Sequence, residues 1–208
     1  MDIDFIKNAF ITMFVALDPP GLIAIFLGLT AHMTLHDRKA TAVRAVIVAF
    51  AILTAAALGG KIVLESLSIT IPAFRIAGGL LLFYIAFEMV FEKREPRKSH
   101  AADEAIEHDH PKNIAVFPLA IPLMAGPGAI TATILQASKA GENFVNQVSL
   151  IAVLAAVVGC CLLSFLLANQ FDRVMGSTGR VVVSRLLGLL LAALAIQIIG
   201  DGVLAFAR

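Results

Sequence analysis

Apolar residues run along this chain in six long blocks, at roughly residues 5–30, 40–60, 69–91, 113–137, 147–169 and 181–206, with polar stretches between them. About 20 mostly apolar residues in a helix cross the hydrocarbon core of a bilayer, and each block is long enough. The pattern therefore predicts an all-α, polytopic membrane protein with six transmembrane helices. Two blocks are interrupted near their centres. The first carries Asp18, Pro19, Pro20 and Gly21, and the fourth carries Gly126, Pro127 and Gly128. Pro lacks a backbone N–H and clashes with the carbonyl one turn back, and Gly loosens the backbone, so both blocks are expected to be broken helices.

The longest polar stretch separates two halves: a first three-helix repeat over 1–91, a polar loop over 92–112, and a second three-helix repeat over 113–208, all in a single membrane domain. Pro20-Gly21 matches Pro127-Gly128 at an offset of 107 residues, and Arg75 and Gly78 match Arg185 and Gly188 at 110. Two matches at nearly one offset point to a duplicated unit. Three spans are an odd number, so the second copy must cross the membrane upside down. The expected architecture is two inverted repeats with a broken first helix in each, which is the sequence signature of a secondary transporter.

Backbone groups freed at such breaks are costly in hydrocarbon unless protein or water satisfies them, so the breaks are expected to face inward. A half-helix that begins there presents amide N–H groups and the positive end of its dipole, which suits an anion, while the preceding half offers carbonyls to a cation. A small zwitterion carries one charge of each kind. Asp18 adds a carboxylate to the first break, and Ala125 stands at the matching position of the second. An acid at that depth costs at least about 2.5 kcal/mol and so marks function: Na⁺ or H⁺ coupling, or binding of a substrate ammonium. Capping of the second half-helix is its structural alternative. Thr12, Thr131 and Thr133 could add hydroxyls beside the breaks, although Thr in a membrane helix usually bonds its own backbone.

Gln197 and Asp201 lie one turn apart on the last block and could line a pathway or an outer gate. Arg75 and Arg185 begin the third spans on opposite faces, where they could snorkel or pair with acids such as Glu88 or Asp201 in ion-coupling or gating roles. Gly59, Gly60, Gly78, Gly79, Ala152, Ala156 and Gly159 are expected to permit close helix approach.

Composition supports the membrane reading: the chain is 59% hydrophobic and 15% charged, with mean hydropathy +0.91. A net charge of +1 gives no reason to expect nucleic acid. The distribution of basic residues matters more. Alternating the loops puts Lys7, Lys61, Arg75, Lys139 and Arg208 on one side and the other 11 of the 16 on the opposite side. The richer side is expected to be cytoplasmic, which leaves both termini outside. The first block lacks a basic start and a small-residue cleavage site, and reads as a retained helix. Adjacent Cys160 and Cys161 read as packing residues. His100, His108 and His110, among the acids of the polar loop, read as a solvated segment, and no metal or other cofactor is expected. With all five His outside the apolar blocks, enzymatic chemistry in the membrane is not expected. A channel and a non-transporting accessory protein stay open as alternatives, and oligomeric state is not legible.

Three segments carry a resemblance. "DPPGLIAIFLGLT" from Asp18, "PLAIPLMAGPGAIT" from Pro118 and "GLLLAALAIQIIGDG" from Gly188 resemble signature segments of the MarC family of bacterial inner-membrane proteins, over essentially the whole chain. Ala24 departs from the pattern, because the family usually carries Pro at that position. The family is also similar to small neutral amino-acid transporters. The resemblance thus implies a plasma-membrane location and a cargo such as alanine or glycine, moved with H⁺ or Na⁺ or exported.

Overall fold

The computed structural model describes residues 3–93, 114–141 and 143–207, and these residues contain helices without strands. The histidines of the polar loop fall outside them. The helices are α1 (Ile3–Leu17), α2 (Pro19–Leu29), α3 (Leu35–Ser66), α4 (Ile71–Val90), α5 (Ala115–Met124), α6 (Pro127–Ala140), α7 (Phe144–Leu166) and α8 (Ala168–Phe206). Five stretches are individually long and apolar enough to cross a membrane, residues 3–29, 35–66, 71–90, 144–166 and 178–206, and α5 with α6 makes a sixth span bent by 59°.

Local chemistry sets the helix starts. Thr34, Thr70 and Asn143 are N-caps whose side chains accept from Asp37, Ala73 and Val145 N–H groups. Helix α3 runs on to Ser66 and α8 starts at Ala168, both well beyond their apolar blocks. Helical hydrogen bonding does not stop where lipid stops. The residues expected to link the last two spans are therefore helical, bent at Gly176, whose φ of 59 is the one departure from helical geometry in α8.

The span formed by α1 and α2 is the most enclosed, with 67% of its apolar window buried, against 17% for α3 and 28% for the end of α8. Around it the bundle surface is apolar: Ile47, Leu58, Leu80, Leu163, Leu189 and Ile196 are all more than half exposed. Such a surface is a liability in water and suits a hydrocarbon solvent. Helices α4 and α8 pack antiparallel at close range. A Cβ on Gly79 would lie 2.6 Å from Ile199 Cγ1, and one on Gly188 would lie 2.8 Å from Met89 Cβ and 3.1 Å from the Ala86 carbonyl. Gly60 and Gly78 meet Ile134 and Thr131 in the same way, but Gly59 and Gly159 have open space where close contact was expected.

Some packing pairs have a counterpart when the two halves are swapped, whereas α1–α6, α1–α8, α6–α7 and α7–α8 have none of similar extent. Contacts of α1 with α7 correspond to those of α5 with α3, α2 with α7 to α6 with α3, and α2 with α8 to α6 with α4, while α3–α7 and α4–α8 map onto themselves. The start of α1, the end of α8, the α3–α4 turn and the end of α6 gather at one face, hereafter the terminal face. The opposite face, where α4 ends and α8 begins, is the loop face.

Candidate functional site

The first interruption is a single residue wide. Asp18 adopts the left-handed conformation, φ 57 and ψ 63, and α2 restarts at Pro19. Pro19 and Pro20 have no N–H to give to the carbonyls of Val15 and Ala16, so the regular ladder fails there. The Gly21 N–H turns instead to Asp18 Oδ1, 3.2 Å away. This cap requires glycine at 21, because a Cβ there would sit 2.2 Å from Asp18 Oδ2. Asp18 is 2% exposed, and Pro19 and Gly21 are buried with it.

The second interruption is wider. Helix α5 is a loose π-type segment in which Phe117 and Ile121, each preceding a proline, leave helical geometry. The sequence reading placed the break at Gly126–Gly128 alone, whereas the irregular backbone begins at Phe117. Pro118 and Pro122 were the visible signal. Gly126 caps α6 without a side-chain bond, and Pro127 is its first residue. Matched start for start, Asp18 corresponds to Gly126, not to Ala125. A Cβ on Gly126 would lie 2.4 Å from the Pro122 carbonyl, and one on Gly128 would lie 2.2 Å from Ile85 Cδ1. Gly128 is buried, while Pro127 reaches the surface.

Two contacts fix how the breaks lie. Gln136 Nε2 donates to Asn8 Oδ1 at 3.2 Å, and Thr133 Oγ1 lies 3.7 Å from Met13 Sδ, so α1 and α6 run antiparallel side by side. Five more residues along each helix, about 7.5 Å, lead from Met13 to Asp18 and from Thr133 to Gly128. The starts of α2 and α6 thus lie at one level in the bundle and point in opposite directions. Thr12, Thr131 and Thr133 all lie buried beside them. Thr133 Oγ1 donates to the Ala129 carbonyl at 2.8 Å, and the Thr131 methyl packs on Gly78. Thr12 Oγ1 and Gln136 Oε1 are buried with no hydrogen-bond partner among the described residues. Asn8 and Gln136 were not singled out from the sequence, although an amide inside an apolar block was a readable sign. Glu88, 3% exposed, lies one turn beyond the Ile85 contact on α4, toward the loop face.

The remaining candidates are elsewhere. At the terminal face, Gln197 Nε2 donates to Asp201 Oδ1 at 2.8 Å, Arg75 lies against Gly202, and Lys139 is within electrostatic reach of both Asp201 and Arg75. At the loop face Arg185 pairs with Glu92.

The pattern of MarC family integral membrane proteins matches residues 3–206, which is nearly the full length. The chain belongs to the MarC family. It is similar to the UPF0056 membrane protein YvbG of Bacillus subtilis, at 36% identity over 97% of this chain and 95% of that one. A UPF0056 membrane protein of Archaeoglobus fulgidus is 36% identical over 96% of this chain and 92% of its own length. The UPF0056 inner membrane protein MarC of Citrobacter koseri is 35% identical over 90% of this chain and 88% of its own length. No solved structure matches the chain. As a member of this family the chain is an integral membrane protein, and the relatives called inner membrane proteins agree with its apolar helices.

Proposed function

We propose that the chain is a secondary transporter of small neutral amino acids or similar small zwitterions, built as two inverted repeats around the two helix breaks. The observation that carries this reading is that the starts of α2 and α6 lie at one level on neighbouring, oppositely directed helices, with the buried Asp18 at one of them and the buried Gly128 at the other. Their polarity is complementary. The start of α2 is already met by its own acid, whereas the start of α6 has no side-chain cap and leaves its first amides, at Gly128 and Ala129, directed to an anion. A substrate carboxylate at α6 and its ammonium at Asp18 would match both charges. Na⁺ or H⁺ at Asp18 is the alternative use of the same carboxylate, as the coupling ion. The packing pairs that do correspond between the halves, α1–α7 with α5–α3, α2–α7 with α6–α3 and α2–α8 with α6–α4, support the inverted arrangement, because a carrier built this way alternates its access by moving one repeat against the other.

The test is uptake of labelled glycine, alanine and serine by proteoliposomes under imposed Na⁺ or H⁺ gradients. Saturable uptake with counterflow is expected. Flux that neither saturates nor exchanges would assign a channel. No flux of any small amino acid under either gradient would overturn the transport reading.

A further inference from the structure

Swapping the halves also carries one cavity onto another. At the terminal face a cavity of about 110 Å³ lies between the end of α3 at Ala57 and Lys61, the side of α6 at Ile134 and Ala137, and the start of α7 at Gln147. At the loop face a cavity of about 40 Å³ lies between the end of α7 at Phe165, the start of α8 at Asn169, the side of α2 at Phe26, and the start of α3 at Arg38. The elements correspond one for one. Helix starts at Pro19 and Pro127 set Phe26 against Ile134, and the N-caps Thr34 and Asn143 set Arg38 against Gln147 and Phe165 against Ala56.

The equivalence extends to hydrogen bonds. Gln147 Nε2 donates to the carbonyl of Gly141, the C-cap of α6, at 2.8 Å, and Arg38 Nη2 donates to the carbonyl of Thr30, the C-cap of α2, at 3.1 Å. What differs is the filling. At the loop face Phe26 and Phe165 stack with ring centroids 4.5 Å apart and 21° between planes, 0% and 2% exposed. Arg38 also reaches across to Asn169 Oδ1 at 3.5 Å, linking the start of α3 to the start of α8, just past the end of α7. At the terminal face Ile134 stands in the place of Phe26, packs on Gly60 and brings no aromatic ring to the cavity.

We propose that these cavities are the two ends of one pathway, that Phe26 and Phe165, tied by Arg38, form its gate at the loop face, and that the structure stands open toward the terminal face. Ile134 lies seven residues, about 10.5 Å, along α6 from its start at Pro127, so the terminal-face cavity and the second break lie along one helix. Opening the other end requires the end of α7, moving with the start of α8, to part from α2 and α3, which breaks the stack and the Arg38–Asn169 bond together. The proposal rests on the transport reading, but its test needs no substrate.

The chain carries its own reporter. Cys161 is one turn before Phe165 on the same face of α7 and is 0% exposed. In a Cys160→Ala background, the rate of Cys161 modification by a small maleimide measures opening of the gate. Phe165→Ala is expected to raise that rate at least about tenfold. Phe26→Leu, which keeps apolar bulk but ends the stack, should move it in the same direction if the larger truncation does not fold. Ile134→Cys, with both native cysteines replaced by Ala, should react faster than Cys161 does in the intact gate. The proposal is overturned if neither Phe variant speeds Cys161, or if Ile134→Cys is as protected as Cys161. Gated labelling without amino-acid flux would retire the cargo and keep the gate, whereas flux with ungated labelling would do the reverse.

Discussion

Asp18 serves backbone and charge at once, and the two roles separate by substitution. Its left-handed backbone costs most residues roughly 1–2 kcal/mol, but Asp and Asn tolerate it, and its side chain caps the Gly21 amide. Asp18→Asn keeps both the conformation and the cap, so thermal unfolding in detergent should stay within about 0.5 kcal/mol of wild type. The charge is lost, and hydrogen bonds to charged groups are worth about 1.5–3 kcal/mol. Transport should then fall by about 10- to 100-fold. Unchanged uptake at every pH and Na⁺ concentration would remove Asp18 from the mechanism. Asp18→Ala loses the cap as well and should cost about 1–3 kcal/mol of stability. Gly21→Ala forces a methyl into the Asp18 carboxylate and is expected to cost about 1–3 kcal/mol with the charge still present. A Gly21→Ala protein with wild-type stability would contradict the cap geometry.

Among the elements, the six spans and both breaks were legible because each depends on local composition: long apolar blocks, and Pro with Gly inside two of them. What was not legible depends on neighbours. The irregular α5 extends to Phe117 because Pro118 and Pro122 remove two further donors upstream of the glycine break. Nothing in the apolar pattern says how far such a fault spreads. Small residues gave a similar half-answer. Whether a glycine is a contact or an exposed position depends on which side faces a partner, and sequence spacing alone placed Gly78, Gly79 and Gly159 together. The structure separates them, and a pair of substitutions tests the separation. Gly188→Ala puts a methyl 2.8 Å from Met89 Cβ and 3.1 Å from the Ala86 carbonyl in the tight α4–α8 seam. It should lower stability by about 1–3 kcal/mol. Gly159→Ala meets nothing within 4 Å and should raise stability by about 0.5–1 kcal/mol through helix propensity. Thermal unfolding of both variants in detergent checks the contrast, and equal effects of either sign would mean that the seam is not where the close contacts place it.

For the whole molecule, orientation follows from charge and topology together. An even number of spans brings the chain ends to one face, along with the α3–α4 turn and the end of α6. The opposite face holds Arg38, Lys39, Lys93, Arg173 and Arg185 among the described residues. Basic side chains resist translocation, so the loop face should lie in the cytoplasm and the terminal face outside. Ser68, in the α3–α4 turn, and His36, in the first turn of α3, are exposed at opposite faces. Introduced singly as Ser68→Cys and His36→Cys, with Cys160 and Cys161 replaced by Ala, they should respond oppositely to a membrane-impermeant thiol reagent. Ser68→Cys should be labelled in intact cells, and His36→Cys only after the membrane is permeabilised. The reverse result would invert the molecule and place the stacked Phe26–Phe165 gate on the outside, so that the structure would stand open to the cytoplasm. The same two halves, with their packing interchanged, would still frame the pathway. Labelling of both positions in intact cells would mean instead that the spans do not alternate, and with them would go the inverted relation between α2 and α6 on which the proposed zwitterion site depends.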